Sequence, residues 1–87
     1  MTFVMCSIFD KAAEAWTMPM FFQAPGQAMR SFADAINGDG DLSSHPEDYT
    51  LFIIGSFNQR SGKLEVREAP EPLAVGVNML RSVEEVN

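Results

Sequence analysis

The only histidine of the chain, His45, stands in Ser43-Ser44-His45-Pro46-Glu47-Asp48, where hydroxyls, an imidazole and two carboxylates crowd together. Residues of these types could form a nucleophile with its base, a carboxylate pair or a metal site. The spacing does not support a nucleophile, because Ser43 and Ser44 cannot share a helix face with a residue one or two positions away. A carboxylate pair is not supported either: splitting two pKa values needs burial, and a charged, proline-led stretch reads as an exposed turn. Asn37-Gly38-Asp39-Gly40-Asp41 sets oxygen-bearing side chains at alternate positions, as a calcium loop does. Leu42 then stands where the sharp turn needs glycine, and Asp48 where a bidentate glutamate is needed. Gly38 and Gly40 lead into acids that repel phosphate, so no phosphate loop is expected. Cys6, the one cysteine, cannot form an internal disulfide and reads as a small buried apolar residue in a reducing compartment. The expectation is a protein that is not an enzyme, with no catalytic residue, no metal site and no cofactor.

Binding chemistry remains. Phe3, Tyr49, Phe52 and Phe57 fall on expected strands, Trp16, Phe21 and Phe22 in an apolar loop, and Arg60, Lys63 and Arg67 around an expected hairpin. Aromatic faces stack on unpaired bases at about 1–3 kcal/mol each while cations track the phosphates. Most of these aromatics read as core, Phe3 and Phe52 above all, and the candidate nucleic-acid contacts are Trp16, Phe21, Arg60, Lys63 and Arg67. Charge argues the other way: 12 acidic residues against 6 basic ones give a net charge of −6, which opposes non-specific attraction to nucleic acid. Glu65 and Glu68 also sit among the basic residues. Screening over about 8 Å at physiological salt lets a local patch act even so.

The elements that must position these residues are short. Eighty-seven residues make one domain, expected over residues 1–81 with a frayed acidic tail at 82–87. No apolar run is long enough to suggest a bilayer span. The start of the chain, Met1 to Phe9, has no basic region and meets Asp10-Lys11 at once, so it reads as a strand and not a signal peptide. Phe3, Met5 and Phe9 fall on one face of that strand, and Val4, Cys6 and Ile8 on the other. Lys11 to Ala15 allows a helical turn that Pro19 interrupts. The greasy loop Trp16 to Phe22 is either a lid on the sheet or an interface.

Pro25 suits a first helical position, and Met29, Phe32, Ala33 and Ile36 recur at helical steps before Gly38. Arg30, Ser31, Asp34 and Asn37 fall toward the wet side. Ser43 or Ser44 is expected to cap the turn His45 to Asp48. Tyr49 to Phe57 follows as a strand, with Leu51, Ile53 and Phe57 on one face and Phe52 and Ile54 on the other. Asn58 to Gly62 forms a hairpin loop, Lys63 to Arg67 alternates as a charged edge strand, and Pro70 and Pro72 end the pairing. Gly76 weakens a helix over Leu73, Val77 and Leu80. The order strand, helix, strand, strand predicts a small α+β fold, a three-stranded antiparallel-type sheet with one helix on a face. The other face is too apolar for solvent, which predicts a homodimer pairing sheet faces or loops.

Phe9-Asp10-Lys11-Ala12-Ala13, Pro19-Met20-Phe21-Phe22, Ala28-Met29-Arg30-Ser31-Phe32, His45-Pro46-Glu47-Asp48-Tyr49-Thr50-Leu51-Phe52, Gly55-Ser56-Phe57 and Ser61-Gly62-Lys63-Leu64 occur in this order and spacing. Together they resemble the small non-structural protein of gokushovirus-type Microviridae bacteriophages, over roughly residues 3 to 75. The resemblance implies a protein of the infected bacterium's cytoplasm, absent from the virion. It implies a role in viral replication or single-stranded DNA production, through single-stranded DNA or phage and host replication proteins. It carries no catalytic residues. The alternative is an acidic interaction module that docks on a host or phage protein through loop 16–22, with no membrane partner.

Overall fold

A computed structural model describes residues 1–81; the tail expected at 82–87 lies outside the described residues. β1 (Thr2–Asp10) runs through the middle of the molecule, and β4 (Tyr49–Asn58) pairs antiparallel along its whole length, from Thr2 opposite Asn58 to Asp10 opposite Tyr49. β5 (Leu64–Val75) lies outside β4. On the free side of β1 the chain folds straight back as two short strands, β2 (Ala15–Trp16) and β3 (Met20–Phe22). The sheet therefore has five strands where sequence reasoning expected three. The extra strands are the greasy loop, which folds as a broken edge strand on β1.

The turn into this edge is made by Asp10, whose Oδ1 accepts from the backbone N–H groups of Ala12 and Ala13 at 3.0 and 3.3 Å. The tight return holds Glu14 at a φ of 54°, so a hairpin turn replaces the expected helical one. Pro19 has no N–H to give the ladder, and between β2 and β3 the side chain of Thr17 takes over the pairing. Its Oγ1 accepts from Ile8 N–H at 2.9 Å, its own N–H donates to the Ile8 carbonyl at 2.9 Å, and its carbonyl accepts from Ser7 Oγ at 2.8 Å.

α1 (Pro25–Ile36) crosses one face of the sheet, with proline in its first turn as expected. Ala28, Phe32 and Ile36 are buried against Cys6, Ile8, Leu51, Ile53 and Ala74. Full burial of each large side chain in this layer contributes about 1.5–3 kcal/mol. Met20 and Phe22 of the folded edge join the same core. Asn37, expected on the wet side, instead ties the helix end to the chain's last described turn. Its Nδ2 donates to the Ala33 and Met79 carbonyls, both at 2.8 Å, and its Oδ1 accepts from Arg81 N–H at 2.9 Å.

α2 (Asp41–Ser44) is a single helical turn, and a 3-10 turn over Pro46–Asp48 leads into β4. Ser43 and Ser44 do not cap that turn; their hydroxyls donate back to the Gly40 carbonyl at 2.7 and 3.2 Å. Beyond it, β5 runs on through Pro70 and Pro72 to Val75, correcting the expected end of pairing. It does so by bulging. Ile53 pairs with Glu71 and Gly55 with Val66, so Arg67 to Pro70 stand opposite Ile54 alone. Pro70 thus falls where no ladder N–H is required.

Candidate nucleic-acid interface

Ile54 is also skipped by β1, since Met5 pairs with Gly55 and Cys6 with Ile53. One inserted residue reverses the face of everything after it. Phe57, expected beside Leu51 and Ile53, therefore lies opposite Phe3 on the face without the helix. That face carries Phe3, Phe9, Trp16, Phe21, Phe52 and Phe57, all half-buried or exposed.

These aromatic rings form separate clusters. Toward one end, Trp16 packs between Phe9 and Phe52, with ring centroids 5.0 and 4.9 Å away. At the hairpin end, Phe21 meets Phe57 edge-on at 6.0 Å. There Phe3, Phe21, Phe57, Gln59 and Leu64 line an open, almost wholly apolar hollow. Phe21 is 48% exposed and Trp16 44%, so each leaves a ring surface free. Sequence reasoning singled out Trp16 and Phe21 as exposed contacts, assigned Phe3 to the core and did not consider Gln59 and Leu64 for this face; of these, Phe21, Phe3, Gln59 and Leu64 line the hollow and Trp16 does not. The signal for Phe3 was its period-two match with Met5 and Phe9; for Phe57 the bulge concealed it.

The basic residues divide differently. The hairpin is built by Asn58, whose Oδ1 accepts from the N–H groups of Arg60 and Ser61 at 2.9 and 3.1 Å. Gly62 supplies the left-handed corner at a φ of 76°. This sets Arg60 at the exposed tip, next to Gln59 of the hollow, and among the described residues Arg60 has no ion pair. Lys63 shares a second, polar hollow with Thr2, Ser56, Asn58 and Glu65, on the helix side of the sheet. Arg67 lines the neighbouring groove with Val4, Ile53 and Glu65. Each is paired, Lys63 with Glu65 at 3.9 Å and Arg67 with Glu71. The structure thus brings Phe21 and Arg60 to one end, keeps Trp16 on the same face farther along, and places Lys63 and Arg67 round the sheet's edge.

The opposite end is acidic. Burial, and then the carboxylates of Asp10, Asp41 and Asp48, hold the Tyr49 phenol above its usual pKa. His45 Nδ1 lies 4.0 Å from Glu47 Oε2, and ligand atoms of His45, Glu47 and Asp48 fall within 4.8 Å of one another. This surface cluster is the turn itself, with its imidazole and Glu47 carboxylate in water. Cys6 is buried on the helix side, and burial raises its thiol pKa, which keeps it protonated and inert. No helix of the described residues is long and apolar enough to cross a membrane.

A family model described as "Phage ORF5 protein" matches residues 3–79. No curated protein and no solved structure matches the chain.

Proposed function

Because the chain belongs to the Phage ORF5 protein family, we propose that it is a non-enzymatic phage protein that assists viral replication or single-stranded DNA production by binding single-stranded DNA. The finer placement, among the gokushovirus-type Microviridae and in the cytoplasm of the infected bacterium, belongs to the same proposal. The observation that carries it is the apolar hollow of Phe3, Phe21, Phe57, Gln59 and Leu64, open on the sheet face without the helix, with Arg60 following Gln59 at the exposed hairpin tip. Unpaired bases stack on such a surface without sequence preference. Arg60 meets the phosphates at the tip, and Lys63 and Arg67 are the further cations, on the helix side of the same hairpin strand. Trp16, opposite Phe9 on the same face, stands apart from the hollow toward the acidic end.

Fluorescence anisotropy of a labelled oligothymidylate, at low and moderate salt, tests this reading. Phe21→Ala is expected to weaken binding about fivefold to a hundredfold, the range of one stacked base. Arg60→Ala should weaken it and flatten its salt dependence. No binding at either salt overturns the proposal. A second reading has its own observation, because Met18, between β2 and β3, is 82% exposed beside Trp16. Such a ridge suits docking on a host or phage protein of the replication machinery. Loss of a captured protein partner on Met18→Ala, with no DNA bound by the wild type, would favour it.

A further inference from the structure

β5 is the last strand of the sheet, and among the described residues nothing pairs with its outer edge. Asn58 N–H donates to the Lys63 carbonyl at 2.9 Å. Antiparallel ladders alternate, so residues 63 and 65 turn their backbone groups toward β4, while Leu64 and Val66 turn theirs outward. Val66 is 77% exposed and Leu64 54%. An unpaired edge with outward β-branched and apolar residues is a template for another strand.

We propose that the occupant is a second copy of this chain, joined β5 to β5 in antiparallel register about a two-fold axis through Val66. Charge and the hairpin together select this register, since an axis through Leu64 would also oppose Lys63 to Glu65. With Val66 opposite Val66, Glu65 of each copy faces Arg67 of the other at the closely spaced, non-hydrogen-bonded positions, where cross-strand pairs interact most strongly. A shift that centres the axis on Glu65 sets glutamate against glutamate and Lys63 against Arg67. A shift to Leu64 draws the left-handed Gly62 into the pairing, and that residue already closes the hairpin. Pro70, without an N–H, ends the edge on the other side. The alternating charges and the hairpin together therefore admit one register. Directly opposed residues share a face, so the helices of both copies lie on one side of the joined sheet. Leu64 and Val66 then bridge the two aromatic hollows on the other side. The expected dimer uses an edge, not faces or loops. This inference does not rest on the nucleic-acid reading.

Sedimentation velocity on the full chain tests it. The wild type is expected at twice the chain mass. Glu65→Arg is expected to give a folded monomer by circular dichroism, and Glu65→Arg with Arg67→Glu is expected to restore the dimer. Because Cys6 is buried, an introduced cysteine can report the register. Opposed hydrogen-bonded residues have Cα atoms about 5.5 Å apart, within disulfide reach. Val66→Cys should therefore crosslink under mild oxidant and Leu64→Cys should not. A monomeric wild type, a dimer indifferent to Glu65→Arg, or crosslinking through Leu64→Cys as readily as through Val66→Cys each overturns the proposal.

Discussion

At Gly76 an added Cβ would meet the Pro46 carbonyl oxygen at 2.3 Å, the Tyr49 carbonyl oxygen at 2.9 Å and Ile36 Cδ1 at 3.0 Å. Two of those neighbours are backbone, and neither can turn aside as a side chain would. This single contact explains why the distinctive His45 to Tyr49 segment matters without chemistry: it is the surface on which the chain's last described turn rests, above the end of α1. Sequence reasoning saw in Gly76 only a poor helix residue, since the close approach comes from a segment thirty positions away. Gly76→Ala is expected to cost about 2–3 kcal/mol or more, at or beyond the upper end for overpacking. The measurement is the urea midpoint at unchanged slope. Gly26→Ala supplies the contrast, because nothing lies within 4 Å of its added Cβ and alanine is the better helix residue by about 1 kcal/mol. Equal losses at the two positions would refute the packing argument.

Strands and helices respond to a different question, which is where each backbone group finds its partner. The folded edge over β2 and β3 depends on Thr17, whose hydroxyl takes the Ile8 N–H that Pro19 and its neighbours leave unpaired. Ile8 is buried, so Thr17→Val strands a buried donor and should destabilise the fold by about 1–3 kcal/mol. Thr17→Ser keeps the oxygen and should recover most of that loss. Hydrogen exchange at Ile8 is the direct readout: unchanged protection in Thr17→Val would show that another acceptor serves it. Much at this scale was legible, because periodicity is local. The faces of β1, the Phe32 and Ile36 stripe of α1, and the Asn58 to Gly62 hairpin follow from spacing alone. The bulge at Ile54 did not follow, since it leaves no mark in a continuous run of β-branched and aromatic residues. That one residue decides which face Phe57 joins, and with it whether the hairpin end has an aromatic hollow. The same holds for Pro70 and Pro72, which end a regular strand but not one that bulges around them.

Across the whole molecule, charge is arranged by end. The pairing of Thr2 with Asn58 and of Asp10 with Tyr49 sets the hairpin tip and the His45 turn at opposite ends of β1 and β4. Eight residue steps at about 3.3 Å put them about 26 Å apart, roughly three times the screening length of about 8 Å at physiological salt. The net charge of −6 is therefore a poor guide to what the hairpin end experiences. If DNA occupies the hollow beside Arg60, neutralising the far end with Glu47→Gln and Asp48→Asn should leave its affinity within about twofold at physiological salt. The dependence of log affinity on log salt should be shallow. Each neutralised phosphate adds about −0.7 for a single strand, so Arg60, Lys63 and Arg67 together set a limit near −2. Removing Arg60 should take away about one such increment, whereas the Glu47 and Asp48 changes should take away none. A tenfold gain in affinity on neutralising Glu47 and Asp48 would mean that the strand runs the length of the sheet, past Trp16 to the acidic end. The site would then be the whole aromatic face and not the hollow at its tip.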